Sequence, residues 1–392
     1  MNFLFAEFKI FKSWKISIPV LLWFLLAFIA GLAEVLHHSF NNYLIFRQVF
    51  WHTLAQTNLY SPYPAEYADI NHYGPVFSVV IAPFAVLPDW LGVIAWNLVN
   101  AAVLLLAIKM LPLSRRNILI ILLISLVDMM SAAHNVQFNA MTAAFIILAF
   151  VFVERERDIW ATFFIVLGFL IKLYPIAAIV FFLFSKHRVR FICYGFMWLA
   201  VLFCLPMIFS SPDFIIRSYA DWYHALSDKV VENVSSLSHT HMQDICVMGI
   251  IRRTLQTTSF NDLYVLVPAV AIFAWPLLRI SQYANTAYRL RYLALVLISV
   301  VIFSDSAESA TYVIAMTGVG IWYVLEQQKT PWVIGVLVFA IFVTSLSTTD
   351  LCPPYIKIHI IRAFALKALP CLLVWLLLIK DVAFGKNLPD KI

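Results

Sequence analysis

The sequence predicts an all-α protein that crosses a membrane about 12 times (roughly 11 to 13), with spans of about 20 apolar residues or somewhat fewer. Hydrophobic residues make up 63% of the 392 residues, charged residues only 12%, and the mean hydropathy is +0.88. A soluble domain carries about 25% charged residues. Apolar runs recur along the whole chain, so lipid rather than a soluble core must cover them.

The first span is predicted at Ile16–Leu36, which follows three lysines and is too long for a typical cleaved signal peptide. The proline-rich piece Tyr73–Pro88 is interpreted as a half-helix or a kinked segment. The remaining predicted spans are Trp90–Leu111, Ile118–Ala132, Phe138–Val153, Trp160–Ile171, Leu173–Phe184, Phe191–Phe209, Leu263–Ile280, Tyr292–Phe303, Tyr312–Leu325, Trp332–Ser345 and Ile358–Ile379.

The distribution of basic residues predicts the orientation. With a cytoplasmic N-terminus, the predicted cytoplasmic segments carry 17 of the 27 lysines and arginines, which agrees with the positive-inside rule. Both termini are therefore expected in the cytoplasm. The whole chain is expected to form a single integral membrane domain, and the expected location is a bacterial inner membrane. The net charge of +6 is explained by these clusters, so no nucleic-acid partner is expected. Two long polar stretches, 37–75 and 210–262, then face outward, into the periplasm.

The first outward stretch combines carboxylates, histidines and aromatic rings, which are the side chains that a sugar site needs. Glu66, Asp69 and His72 are its candidate functional residues. The alternative interpretation is an anchor, because Asn42–Leu54 has the apolar spacing of a helix that lies in the membrane interface.

The second outward stretch contains the pair Arg252 and Arg253, whose planar guanidinium groups match phosphate oxygens. Alternatively, these arginines cap a helix or contact anionic lipid headgroups. Lys172 lies at the junction of two short spans, where it either serves a site or snorkels to the interface. Asp305 and Glu308 lie at the outward end of another span. No metal site is predicted, because no Cys/His spacing fits one.

Three motifs in the first half of the chain resemble those of glycosyltransferase family 87, in the C-fold superfamily of polytopic glycosyltransferases. The first is NLYSPYPAEYADINHYGPVFSVVIAPFAVLP. The second is a Gln-x-Asn motif at Gln137 and Asn139, in NVQFNAMTAAFIILAF. The third is a Lys-Leu-Tyr-Pro motif at Lys172 to Pro175, in LIKLYPIAAIVFFLF. The resemblance covers roughly Asn42 to Phe184.

The resemblance implies a mannosyltransferase-like enzyme with interfacial helices in its first outward loop. Such enzymes take a hexose from a polyprenyl-phosphate donor on the outward face, pass it to a glycolipid or glycan and invert the anomeric centre. The partners expected are membrane lipid, this donor and that acceptor, with no cofactor. Substrate-binding residues are expected at Asn42, Tyr43, His72, Tyr73, Gln137, Asn139, Tyr174, His239, His241, Asp305 and Glu308.

The sequence departs from the family pattern at the position of the catalytic base. Asn42 stands where the family has Asp in an Asp-Phe-x-x-Tyr context, and an amide cannot take a proton from a hydroxyl. Asp69 and Glu66 are therefore the expected bases, and the late span, SDSAESATY, lacks the family's usual His. The cations Arg252, Arg253 and Lys172 are expected to bind the donor phosphate. The alternatives are a transporter or flippase of lipid-linked saccharides, and a catalytically silent relative that acts as an assembly partner.

Overall fold

The structure is a computed structural model that describes residues 7–11, 14–235, 237 and 242–385. The chain forms two compact units, each built from separate segments. One, the central unit, comprises Phe24–Leu111 and Ala132–Lys229. The other, the C-terminal unit, comprises Met1–Trp23, Pro112–Ser131 and Val230–Ile392.

The chain begins with a short antiparallel hairpin that the all-α prediction missed. Strands β1 (Glu7–Phe11) and β2 (Trp14–Ser17) pair with Glu7 opposite Ser17. The alternation of polar and apolar residues in EFKIF has the period of two that is typical of a strand. The first predicted span follows as helix α1 (Ile18–His37).

Helices dominate the rest of the described residues. In chain order they are α2 (Asn41–Ala55), α3 (Phe77–Ala85), α4 (Asp89–Lys109), α5 (Arg115–Ile124), α6 (Leu126–His134), α7 (Asn139–Glu154), α8 (Asp158–Ile171), α9 (Arg188–Cys204), α10 (Pro212–Val234), α11 (Val247–Leu255), α12 (Leu263–Ala274), α13 (Thr286–Ile302), α14 (Tyr312–Leu325), α15 (Pro331–Phe339) and α16 (Ala368–Phe384). Tighter 3₁₀ segments lie at Tyr174–Phe184, Leu205–Ile208, Trp275–Leu278, Ile280–Ala284, Ser309–Thr311 and Leu346–Thr348, and wider π segments lie at Ala340–Ser345 and Ile356–Arg362.

Four of these helical segments are long and apolar enough to cross a membrane: Ile18–His37, Asp89–Lys109, Arg188–Ile208 and Pro331–Thr348. Helices α5 and α6 form a fifth candidate that bends by 49°. Five further apolar helices are only 10–17 residues long, and 17 residues is the lower limit for a straight span. The predicted count of about 12 spans therefore stays a prediction. Tyr73–Pro88, predicted as a half-helix, contains the nine-residue helix α3.

An aromatic cluster forms the core of the central unit. The rings of Phe46, Phe77, Trp96 and Phe138 lie 5.1–6.1 Å apart, and most pairs meet edge to face. Edge-to-face pairs contribute about 0.5–1.5 kcal/mol each beyond the area that they bury. This cluster joins α2, α3 and α4 to the residue that precedes α7.

A buried polar contact joins distant segments within the C-terminal unit. The Ser345 hydroxyl, at the end of a π segment, donates to the Asp128 carboxylate of α6 at 2.5 Å. Lys367 is also buried, and its ammonium lies 5.1 Å from the centre of the Tyr312 ring. The opposite charges of Asp128 and Lys367 attract one another. Ionisable groups buried in this way are uncommon in membrane proteins because desolvation is costly.

Candidate active site

The C-terminal end of α8 is fixed by a close approach of the polar stretch 37–75, the first predicted outward stretch. The Gly74 amide donates to the carbonyl oxygen of Ile171 at 3.0 Å. A Cβ atom on Gly74 would lie 1.9 Å from the carbonyl oxygen of Leu170, so only glycine fits here. This contact places Tyr73 and Lys172 side by side.

Lys172 directs its ammonium group towards an amide and two aromatic rings. Its Nζ donates to Asn139 Oδ1 at 2.9 Å, and lies 5.7 Å from the Tyr73 ring centre and 5.1 Å from that of Tyr174. The helix ends here because the proline of the Lys-Leu-Tyr-Pro motif cannot continue it. Lys172 itself has an extended backbone, with φ −151° and ψ 127°. Cations held over aromatic faces keep their charge while losing part of their hydration.

The Gln-x-Asn motif completes the same cluster. The Tyr73 hydroxyl donates to Gln137 Oε1 at 3.3 Å. Asn139 is fully buried, and its Nδ2 has no hydrogen-bond partner among the described residues. A buried amide N–H without an acceptor costs free energy, so this donor is suited to a ligand oxygen. We call Tyr73, Gln137, Asn139, Lys172 and Tyr174 the lysine cluster.

The backbone is strained just before the Gln-x-Asn motif. Val136 adopts a left-handed conformation with φ 48°. A β-branched residue rarely adopts this conformation, and strain of this kind concentrates at functional sites. The left-handed conformation of Val136 produces a sharp turn that brings Gln137 to the start of α7.

Helix α10 supports the loop that carries Tyr73. The Trp222 indole donates to the carbonyl oxygen of His72 at 2.9 Å. The Tyr60 hydroxyl donates to the carbonyl oxygen of Tyr73 at 3.0 Å. His72, predicted to bind substrate, is half-buried. The loop is thus held in place through its main-chain carbonyl groups.

The two predicted bases differ in their surroundings. Glu66 Oε2 lies 2.9 Å from Nε2 of His52, whose ring is 7% exposed and lies 4.3 Å from the Tyr63 ring. Asp69 is exposed, and its Oδ1 accepts the adjacent Ile70 N–H at 2.8 Å. Asp69 can therefore reach a substrate without breaking a side-chain contact, whereas Glu66 would have to release His52.

His52, the partner of the predicted base Glu66, was not among the predicted site residues. A signal for it exists in the sequence, because Ile45, Val49 and His52 follow helical spacing along the buried face of α2. A histidine on an apolar helical face needs a polar partner. The nearby carboxylate of Glu66 supplies that partner.

Asn42 and Tyr43 contact the protein rather than an open surface. Asn42 Nδ2 donates to the carbonyl oxygen of Asn135 at 2.7 Å. Tyr43 is fully buried, and its hydroxyl donates to the carbonyl oxygen of Phe84 at 2.8 Å. Burial, and then the charge of Asp89, raise the pKa of the Tyr43 hydroxyl to about 12. Tyr43 thus joins α2 to the end of α3, and its binding of substrate stays a prediction.

Arg252, predicted to bind the donor phosphate, lies in a buried ion-pair network. Its side chain is 1% exposed. Its Nε donates to Asp244 Oδ2 at 2.9 Å, its Nη2 donates to Asp244 Oδ1 at 2.5 Å, and its Nη1 donates to Asp262. Two carboxylates therefore neutralise the charge that the phosphate would require. In the structure this guanidinium is therefore paired with Asp244 and Asp262, and its binding of the donor phosphate stays a prediction.

Arg253 is also turned into the protein. It is 1% exposed, and its Nη1 and Nη2 donate to the carbonyl oxygens of Arg362 at 2.6 Å and Gln243 at 2.8 Å. Burial lowers the pKa of its guanidinium. Its Nη1 and Nη2 therefore bind the main chain, and its role at the donor phosphate stays a prediction.

Asp305 and Glu308, two of the predicted substrate-binding residues, lie in the loop between α13 and α14. Burial, the largest cause, and the charges of Asp262 and Asp244 raise the pKa of the Asp305 carboxyl. The Glu308 N–H donates to Thr311 Oγ1 at 3.3 Å, at the start of a 3₁₀ turn. His239 and His241 lie outside the described residues. Within the described part of the chain, no group of three or more His, Cys, Asp or Glu could hold a metal ion.

These features define the class of protein: an integral membrane protein of apolar helices with a lysine-centred polar site at helix ends. The family model of glycosyltransferase family 87 matches residues 71–304, well over half of the chain, and the chain belongs to this family. The predicted resemblance is therefore confirmed. The matched range includes the whole lysine cluster, whereas Asn42, Glu66 and Asp69 precede it. A search of curated proteins gave no match.

Proposed function

We propose that the chain transfers a hexose, most simply mannose, from a polyprenyl-phosphate sugar to a glycolipid or glycan on the outward face, with inversion. Membership of the family supports a membrane glycosyltransferase. The lysine cluster supports the donor type. Lys172 contacts an amide oxygen and two aromatic rings. A positive charge held in this way suits the phosphate that leaves during transfer.

The reaction needs one base and one group that stabilises the leaving phosphate. Asp69 removes the proton of an acceptor hydroxyl, whose oxygen attacks the anomeric carbon from the face opposite the phosphate. The bond between that carbon and the phosphate oxygen breaks, and the electron pair remains on the polyprenyl phosphate. Lys172 stabilises this negative charge. Glu66 is the second candidate base, through its contact with His52.

The neutral members of the cluster position the donor. The Asn139 N–H without a protein acceptor suits a phosphate or sugar oxygen. Tyr174 offers its ring to the sugar, and Tyr73, whose hydroxyl donates to Gln137, holds Lys172 in place. Asn42, Tyr43, His72, Asp305, Glu308, His239 and His241 remain proposed substrate-binding residues, and Arg252 and Arg253 remain proposed contacts of the donor phosphate.

The proposal includes the setting of the reaction. With about 12 spans, some of them short and tilted, both termini lie in the cytoplasm and the lysine cluster faces outward. The inner membrane of a bacterium is the proposed location. The lipid-linked donor, the acceptor and the surrounding lipid are the proposed partners.

The identity of the catalytic base is tested with membranes from cells that express each variant. The measured quantity is the transfer of radiolabelled mannose from polyprenyl-phosphate mannose. Asp69→Asn is expected to lower transfer by about 10²–10⁴-fold, the usual contribution of a positioned base. Glu66→Gln is expected to retain most activity. Asp213→Asn is the matched control, because Asp213 is an exposed carboxylate paired with Arg217. Full transfer by the Asp69→Asn, Glu66→Gln double variant would remove both residues from the mechanism.

One observation favours a second candidate function, a catalytically silent relative that assembles with a partner. Asn42 occupies the family's acid position, and its amide binds the main chain at Asn135. A silent relative would bind the polyprenyl-phosphate sugar without consuming it. Binding of labelled donor to the purified chain without release of polyprenyl phosphate would therefore support this second function against the first.

A further inference from the structure

A groove on the C-terminal unit lies between α5 and α15. Its cavity volume is about 640 Å³. The walls are apolar along most of their length, and they are formed by Ile120, Leu123, Ile124, Leu337 and Ile341. Both helices belong to predicted spans, so these walls lie at membrane depth, where an acyl chain is the natural occupant.

The groove is basic and polar at one end. Arg116 and Asn117 from the first turn of α5, and Lys329 from the loop before α15, line this end. The charge pattern of the sequence assigns both segments to the cytoplasm. Apolar walls that end in cationic groups at one membrane surface match an amphiphile with an anionic headgroup.

The positive charge at this end has several sources. Arg115 is paired with Glu7 at 2.8 Å, and the neighbouring Arg116 lines the groove. The Lys329 ammonium lies 4.2 Å from the Tyr323 ring centre and donates to two carbonyl oxygens, of Tyr323 and Glu326. An ammonium has three N–H donors, which leaves one for a ligand. The N-terminus of α5 adds its own positive partial charge.

From these features we propose that the groove binds an anionic glycerophospholipid of the cytoplasmic leaflet, with its phosphate at Arg116 and Lys329 and an acyl chain along α5 and α15. A soluble phosphate would leave the apolar walls uncovered. A zwitterionic lipid would bring its own cation to an end of the groove that is already cationic. The groove contains no member of the lysine cluster, so this proposal does not depend on the proposed function.

The test measures lipids retained by the purified full-length chain with native mass spectrometry, after exchange into equal amounts of phosphatidylglycerol and phosphatidylcholine. The unaltered chain is expected to retain phosphatidylglycerol preferentially. The Arg116→Gln, Lys329→Gln double variant is expected to lower that preference roughly tenfold to thirtyfold, since each cation near anionic lipid is worth about fivefold. The matched control is Lys186→Gln, Arg217→Gln, two exposed cations of the central unit.

Three outcomes decide the proposal. Equal retention of the two lipids by the unaltered chain would overturn it, and so would an unchanged preference in the double variant. Competition by soluble glycerophosphate at concentrations similar to those of the lipid would overturn it as well, because the acyl chain would then contribute nothing. The control for folding is thermal unfolding of each variant in neutral detergent, where no lipid is present. If the unfolding midpoint is unchanged, a loss of the preference for phosphatidylglycerol reports the loss of the lipid site.

Discussion

At the scale of single residues, Lys172 is positioned by its neighbours rather than by its own helix. Helix α8 ends at Ile171, and the extended backbone of Lys172 turns its side chain towards Asn139 at 2.9 Å. Gly74 permits this arrangement, because it brings the first outward stretch within hydrogen-bond distance of the end of α8. The site therefore depends on a residue that has no side chain of its own.

Gly74→Ala tests this dependence. Its Cβ would lie 1.9 Å from a backbone oxygen, so the loop must move away from α8. We expect a loss of about 1–3 kcal/mol in the free energy of unfolding, as for other overpacked sites, together with reduced sugar transfer. Thermal unfolding and the transfer assay measure the two effects.

Gly195→Ala is the control for this substitution. A Cβ atom at Gly195 meets nothing within 4 Å, and alanine favours a helix interior by roughly 0.5–1 kcal/mol relative to glycine. Gly195→Ala should therefore be neutral or stabilising, with full transfer. If Gly74→Ala behaved in the same way, the close approach would not matter for the site.

The residues of the lysine cluster were largely predictable from the sequence, and the buried ion pairs of Arg252 were not. Gln137, Asn139 and Lys172 lie in motifs whose order along the chain is recognisable. Arg252 appeared available to a phosphate because the sequence does not show that the chain folds back on itself. Asp244 precedes Arg252 by only eight residues, and its left-handed backbone, with φ 56°, brings its carboxylate to the guanidinium. A backbone conformation of this kind leaves little trace in composition.

At the scale of elements, helix α11 is held by its charged residues. Arg252 of α11 pairs with Asp244 before the helix and with Asp262 after it. The Asp244 and Ile245 amides in turn donate to the carbonyl oxygens of Asp305 and Ala307 at 2.8 and 2.9 Å. The buried network thus fastens the second outward stretch to the loop between α13 and α14.

Arg252→Met distinguishes a structural role from phosphate binding. Removing one partner of a buried ion pair costs about 3–5 kcal/mol, so we expect a clearly lower midpoint of thermal unfolding. The KM for the lipid-linked donor, measured on the folded fraction, should change little. Arg217→Met is the control, because this exposed pair with Asp213 is worth only about 0.3–0.5 kcal/mol. An unchanged unfolding midpoint with a much higher donor KM would restore Arg252 to the phosphate site.

At the scale of the whole molecule, composition was enough to predict an integral membrane protein, and span counting was less informative. Apolar runs located most helices to within a few residues, as α4 at Asp89–Lys109 shows against the predicted Trp90–Leu111. The chain breaks several runs into shorter pieces, such as the 3₁₀ segment Tyr174–Phe184 and the bend between α5 and α6. Hydropathy averages over such breaks, because backbone geometry does not change how apolar a residue is.

The broken helices are also where the candidate site lies. Lys172 lies between α8 and a 3₁₀ segment, and Gln137 lies between α6 and α7. Irregular backbone at membrane depth is tolerated where it is buried in protein or lines a water-filled cavity. The features that reduced the accuracy of span prediction are therefore the features that position the polar side chains.

The central claim is that Lys172 stabilises the phosphate that leaves during sugar transfer. The most direct measurement uses the purified chain in liposomes made from lipids extracted from the host membrane, which supply the glycolipid acceptor. The quantity measured is the rate at which labelled mannose passes from polyprenyl-phosphate mannose to that acceptor. Lys172→Met should lower this rate by about 10²–10³-fold while the fold stays intact, as expected when one stabilising donor is removed. Lys172→Arg keeps the positive charge and should retain a measurable part of the rate. Transfer by Lys172→Met within about twofold of the unaltered chain, far inside the range expected for such a donor, would contradict the account.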